Sequence, residues 1–133
     1  MHKTAVVTGG AGFIGGALVR ALVGSGDWRV LNLDRLGYAA SPAALAEVAT
    51  APGYRFETLD IRHGEAVLAL LREVQPDVVF HLAAETHVDR SLDDPQPFLD
   101  HNIEGTFRLL ESIRAFLPEL PAAERQAFRL VHI

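Results

Sequence analysis

Between Thr8 and Gly15 the chain reads TGGAGFIG, and 19 residues past Gly15 an aspartate, Asp34, closes an apolar run. Gly10, Gly12 and Gly15 satisfy G-x-G-x-x-G, while Gly9, Gly12 and Gly15 satisfy G-x-x-G-x-x-G. Glycines in this pattern allow a tight turn, bring backbone close to a pyrophosphate, and let the next helix pack on its strand with its N-terminus facing the negative charge. Alone the triplet is a weak sign. Placed between a strand and a helix, with an acid ending the next strand, it becomes specific. Asp34 there would accept hydrogen bonds from an adenosine ribose diol and repel a 2′-phosphate, so these residues point to NAD. Arg35 is the neighbouring cation through which a 2′-phosphate, and hence NADP, would be met. Asp60-Ile61 ends another apolar run and would lie beside an adenine pocket; an aspartate capping the next turn reads equally well.

A second group of polar residues follows the fourth apolar run, in FHLAAETHVDRS, Phe80 to Ser91. Ala83 and Ala84 are small enough to let a flat ring or ribose come close, and Glu85, Thr86, His87, Asp89, Arg90 and Ser91 crowd a short loop. His81, His87 and Asp89 do not have the spacing of a metal site, and His81 inside an apolar run reads as a core histidine. No metal is expected. Asp93 and Asp94, ahead of Pro95, read as the cap of a helix rather than as an acid–base pair.

The elements that must position these groups alternate. Short apolar runs at Thr4–Gly9, Arg29–Asp34, Tyr54–Asp60, Asp77–Ala84 and Phe128–Ile133 read as buried strands. Helical spacing covers Phe13 to Val23, stopped by Gly24-Ser25-Gly26-Asp27, and Gly64 to Val74, stopped before Pro76. A short helix is expected over Pro42–Thr50 with Ser41 as its cap, and a long one from Asp94-Pro95 to about Phe116. The connector LPELPAAERQ has room for one helical turn. Such alternation implies an α/β, Rossmann-type doubly wound parallel sheet, and right-handed crossovers favour the strand order 3-2-1-4-5.

A chain of 133 residues is one domain's worth. The net charge of −5 argues against a nucleic-acid partner, whose basic footprint would show. There is no cysteine, which excludes disulfides and thiolate metal sites and is compatible with a cytoplasmic location. The apolar residues after Lys3 break off at Gly9, too soon for a secretion signal, and no stretch approaches the ~18 apolar residues of a membrane span.

TGGAGFIG, LNLDRLGYAAS, DI, FHLAAETHVDRS, HNIEGTFRLLE and FRLVHI, in that order, resemble the N-terminal part of the dTDP-glucose 4,6-dehydratases, a family of the extended short-chain dehydrogenase/reductase superfamily. The resemblance covers essentially the whole chain, and HVDRS with the connector before FRLVHI is its most specific part. It implies backbone contacts from Phe13 and Ile14 to a pyrophosphate, with Asp34, Arg35, Leu36 and Gly37 around the ribose. Asp60 and Ile61 would lie at adenine, and Leu82, Ala83, Ala84, Glu85 and Thr86 along the nicotinamide half. Thr86 and His87 would reach a nucleotide-sugar substrate. The chain departs from the family at Arg35, Gly37, Ala40, Thr86 and His101, where a Lys, a Thr, a Gly, a Ser and a Thr are usual; His101 stands at a cofactor contact, ahead of the retained Asn102.

The family's reaction oxidises C4 of the sugar with NAD⁺, eliminates water across C5–C6 and returns the hydride to C6. The family's catalytic Ser-Thr-Asp-Glu-Val-Tyr-Gly segment, a Tyr-x-x-x-Lys pair and a C-terminal substrate domain would all follow Ile133. The expectation is therefore a truncated, incomplete NAD-binding domain, residues 1–133, without catalytic residues and inactive alone. The full-length form would be a homodimer, and the last strand an edge strand with exposed apolar surface. A sibling nucleotide-sugar epimerase or decarboxylase, or a non-catalytic NAD-binding module, are the alternatives.

Overall fold

A computed structural model describes residues 1–133. Its elements in chain order are β1 (Lys3–Thr8), α1 (Phe13–Ser25), β2 (Trp28–Asp34), a 3₁₀ turn (Pro42–Leu45), β3 (Tyr54–Thr58), α2 (Gly64–Val74), β4 (Val78–His81) and α3 (Val88–Asp93). There follow α4 (Gln96–Phe98), a π-helical turn (Leu99–Glu104), α5 (Gly105–Phe116), a second 3₁₀ turn (Leu117–Glu119), α6 (Ala122–Ala127) and β5 (Arg129–His132). All neighbouring strands are parallel, in the order β3-β2-β1-β4-β5 expected from the alternation.

Alternate strand residues feed two cores, because successive side chains point to opposite faces. Val6, Leu31, Leu33 and Val79 pack on one face with Val67 and Leu71 of α2 and with Leu109, Ile113 and Phe116 of α5. Val7 and Val30 face the other way, against Val19 of α1, Leu45 and Val48. The chain leaves β1 for one face and returns to β4 from the other, so the carboxyl ends of β1, β2 and β4 border a topological switch point.

Several local expectations are corrected. No α-helix spans Pro42–Thr50: Ser41 makes no side-chain cap, and helical structure ends at Leu45. The Ala44 carbonyl, which an α-helix would offer to Val48, accepts from the Arg20 guanidinium at 3.0 Å, and the Val48 N–H turns to Leu45 instead. The HVDRS stretch is not all loop, since α3 begins at Val88. The long helix starts at Gln96 and is interrupted by the π turn; Asp94 Oδ1 accepts from the Gln96 N–H at 3.3 Å, which fits its reading as a cap. The connector holds a six-residue helix, α6, rather than one turn.

Candidate cofactor site

A crevice of about 770 Å³ opens at the switch point. Its walls are the glycine loop and the loops that follow β2, β3 and β4. It contains Gly9, Gly12, Phe13, Ile14 and Gly15 from the first loop, and Asp34, Arg35 and Gly37 from the second. Asp60 and Ile61 come from the third, Leu82 to His87 from the fourth, and His101 from the π turn. The fold thus brings residues expected at a cofactor from five separate stretches of the chain into one cavity. Two of the named residues do not line it. Gly10 lies against the buried side chain of Asn32, and Leu36 is a partly exposed residue in the left-handed region, with its N–H on Asp34 Oδ1 at 2.7 Å. Leu33, Tyr38, Ala39, Ala40, Leu59 and Ile133 line the crevice without having been assigned a role. Tyr38 to Ala40 simply continue the β2 loop past Gly37, and adjacency could have found them; Ile133 is brought there only by the pairing of β5 with β4.

The glycines have separable reasons. Gly9 has φ +74° and lies so close to β4's exit that a Cβ would stand 2.6 Å from the Ala83 nitrogen. A Cβ on Gly15 would come within 2.1 Å of the Gly9 carbonyl oxygen, which is the close helix–strand approach. Gly12 is different. Its backbone is extended at φ −79°, ψ 179°, where any residue fits, and an added Cβ would approach protein only at the Gly9 oxygen, 3.3 Å away. Nothing in the protein strictly requires glycine there; what a side chain would occupy is the space before the N-terminus of the 13-residue helix α1. The first N–H groups of a helix have no partner inside it and carry the positive end of its dipole. Phe13 and Ile14, 95% and 61% exposed, put apolar side chains at the same mouth.

Asp34 is buried, and its two oxygens accept the N–H groups of Leu36 and of Ala11, the latter at 2.9 Å. The carboxylate thus ties the glycine loop to the β2 loop while keeping lone pairs for a further donor. On the adenine side, burial pushes the Asp60 carboxyl up, but the Arg62 guanidinium, bound in a fork at 2.8–3.2 Å, holds it below its ordinary value. His101 is held below its ordinary value by burial, then by the nearby Arg35 and Arg62 charges.

Below the crevice, Thr8 and His81 set the exit of β4. Thr8 Oγ1 accepts the N–H groups of Leu82 and Ala83, both at 3.2 Å, and pairs with His81 Nδ1 at 2.7 Å. With two donors already on the hydroxyl, its own proton goes to Nδ1, so the imidazole carries its hydrogen on Nε2 and donates it to Thr106 Oγ1 at 2.9 Å. His81 is therefore a satisfied core histidine, 2% exposed. Burial pushes its pKa down to about 4, helped by the charge of His132 stacked on it at 4.7 Å. Asn102, flagged in the sequence beside His101, clamps the loop above: it accepts the Glu85 N–H at 2.8 Å and donates to the Glu85 carbonyl at 2.9 Å.

The model of the NAD dependent epimerase/dehydratase family matches residues 5–133. The dTDP-glucose 4,6-dehydratase of Neisseria gonorrhoeae is 44% identical over 131 residues, 98% of this chain and 38% of that protein. Among solved structures, the dTDP-glucose 4,6-dehydratase of Bacillus anthracis in complex with NAD superposes with a TM-score of 0.80 at 28% identity, over 98% of this chain and 36% of that one. The UDP-glucose 4-epimerase of Thermotoga maritima superposes at 0.75 and 31% identity, over 85% of this chain and 34% of the other. The chain thus spans little more than a third of the length of the relatives it matches.

Proposed function

The chain belongs to the NAD dependent epimerase/dehydratase family, and from that premise we propose that residues 1–133 form the NAD-binding Rossmann domain of a dTDP-glucose 4,6-dehydratase. The observation that carries the reading is the opening at Gly12, where an added Cβ would meet protein only at the Gly9 oxygen, in front of the α1 N-terminus and beside Asp34 at the switch point.

In this reading the N–H groups of Phe13 and Ile14 hold the pyrophosphate, and Asp34 accepts from the adenosine ribose. Asp60 and Ile61 border adenine, where the Arg62 fork keeps Asp60 charged and fixed. Leu82 to Thr86, held by Thr8 from below and by Asn102 through Glu85, border the nicotinamide half, with Thr86 and His87 toward a nucleotide-sugar substrate. His101 stands near both halves. NAD, when bound, supplies a hydride acceptor for the sugar's C4. The contribution of these residues is to bind, orient and exclude water. Proton transfer at the sugar needs a base and an acid in reach. The chain's one lysine, Lys3, begins β1 at the end of the sheet opposite the crevice, so no Tyr–Lys pair can assemble from these residues.

A second copy of the chain is the proposed partner. Leu99, Ile103, Phe107 and Leu110 recur at helical spacing from the π turn into α5, and each is between 46 and 64% exposed. That contiguous stripe is of the kind that marks an interface. A cytoplasmic setting fits the cysteine-free composition, and no helix is long and apolar enough to cross a membrane.

Gly12→Ala tests the reading of the crevice. Alanine suits the backbone dihedrals at this position and asks only a small shift of the Gly9 carbonyl, so the variant should keep the parent's circular dichroism and still unfold cooperatively in urea. Its NAD⁺ affinity, measured by calorimetry, should fall at least ~10-fold, as expected for a side chain placed where backbone meets pyrophosphate. A folded Gly12→Ala chain that binds NAD⁺ like the parent would refute the reading.

A further inference from the structure

Arg35 follows the ribose acid directly, and an arginine near this place is the usual means of accepting a 2′-phosphate. The structure gives its guanidinium another partner. Arg35 Nη2 is paired with Glu85 Oε1, on the loop after β4, 50 residues away and across the glycine loop. The Glu85 side chain is only 10% exposed, and the Arg35 side chain 35%, so the pair is partly withdrawn from water. Two features hold it in that direction. Asn102 fixes the Glu85 backbone through both its N–H and its carbonyl. The backbone of the β2 loop lies against the guanidinium, since a Cβ on Gly37 would stand 2.7 Å from Nη2 and 2.8 Å from Cζ.

The charges lining the crevice sharpen the point. Asp34, Asp60 and Glu85 are its carboxylates, and Arg35 is its only arginine or lysine. Arg62, just behind, is already forked onto Asp60. A further phosphate on the ribose would therefore meet Asp34 and find no uncommitted guanidinium in the crevice wall.

We propose that Glu85 is a cofactor-selectivity residue: by holding the Arg35 guanidinium, it denies the ribose end of the crevice the one lining cation that could pair with a 2′-phosphate. Preference for NAD over NADP then has two parts, repulsion by Asp34 and sequestration of Arg35. The inference rests on the NAD reading above. Moving Arg35 to a phosphate would leave the largely buried Glu85 carboxylate without its partner, and an unpaired charge in such a place is costly. Exclusion of this kind works by what the wrong ligand forfeits as much as by what the right one gains.

The test is calorimetric titration of the 133-residue chain with NAD⁺ and with NADP⁺, comparing parent, Glu85→Gln, Arg35→Ala and the double variant. The parent should prefer NAD⁺. Glu85→Gln keeps the size of the side chain and releases the guanidinium, so the NADP⁺/NAD⁺ affinity ratio should rise about 5–10-fold. The double variant should lose most of that rise, because loss of one negative charge favours the more highly charged NADP⁺ only modestly through solvent, whereas a freed guanidinium pairs with the 2′-phosphate directly. Arg35→Ala alone should lower the ratio by about 2-fold at most, through the general loss of positive charge, because Arg35 does not meet the 2′-phosphate in the parent. If Glu85→Gln fails to fold, Glu85→Ala, which also releases the guanidinium, carries the same comparison. A parent that prefers NAD⁺, with a ratio unmoved in Glu85→Gln or a rise that survives undiminished in the double variant, overturns the role of Glu85 and leaves the NAD reading standing. A fall of about 10-fold or more in the ratio in Arg35→Ala alone overturns it too, since Arg35 would then already serve the 2′-phosphate. A parent that binds neither dinucleotide overturns both.

Discussion

Acidification should unload a defined part of this fold through one histidine. In the folded chain His81 is held neutral by the tautomer that Thr8 and Thr106 impose, and its pKa is pushed down to about 4, first by burial and then by the charge of His132. In the unfolded chain it returns to the ordinary 6.5. Below pH 6.5 the unfolded state therefore binds a proton that the folded state refuses, and stability falls as the pH falls. The contribution is complete above about pH 6.5, is lost between there and about pH 4, and is flat below. At full weight the difference is worth about 3 kcal/mol, and about 2 kcal/mol once screening by water at the exposed His132 edge is allowed for. That is a large share of the ~5–15 kcal/mol available to a domain. The assay is urea unfolding at fixed ionic strength from pH 7.5 to pH 4, for the parent and for His81→Gln, which cannot titrate but can still accept from Thr8 and donate to Thr106. Other ionising groups contribute to both curves and cancel in the difference. The parent should lose about 2 kcal/mol more than the variant over that range, with most of the loss below pH 6.5. Parallel curves would refute the reasoning, because His81 would then be protonated in the folded state or exposed to water.

Three further outcomes are expected. Thr8→Val preserves shape at a fully buried site but strips the Ala83 N–H and His81 Nδ1 of their partner, while the Leu82 N–H keeps the Thr8 carbonyl at 3.0 Å. Urea unfolding should show a loss of about 3 kcal/mol with an unchanged slope, as for two stranded buried groups; a near-neutral result would mean that the hydroxyl is not the clamp. Phe107→Asp, in the middle of the exposed stripe from Leu99 to Leu110, should shift sedimentation of the chain at high concentration toward monomer, and a parent that is already monomeric throughout would remove the case for a second copy on that face. Incubated with NAD⁺ and dTDP-glucose, the 133 residues should yield no 4-keto-6-deoxy product, since they offer no assembled Tyr–Lys pair; enzyme-like turnover would show that Glu85, Thr86 or His87 performs the proton transfers.

The sheet order and the glycine-loop crevice were legible from sequence because both depend on near-neighbour physics. Apolar runs buried on two faces, joined by helical spacing, leave a parallel sheet little choice of topology. The glycines and Asp34 can be read because turn geometry and ribose recognition tie residue types to fixed offsets. Other features depended on partners distant in the chain and could not be read locally. The segment after Pro42 has helical composition, yet Arg20 takes the Ala44 carbonyl from across the fold and the helix stops at one 3₁₀ turn. Thr8 looks like any strand threonine until β4 is set beside β1 and its hydroxyl meets Leu82, Ala83 and His81. Arg35 beside Asp34 left NADP open in the sequence; only the tertiary structure brings in Glu85, 50 residues on, and decides where the charge points. Spacing along a chain can specify backbone geometry, but the partner of a long charged side chain is chosen by which loops the sheet brings together at its carboxyl edge.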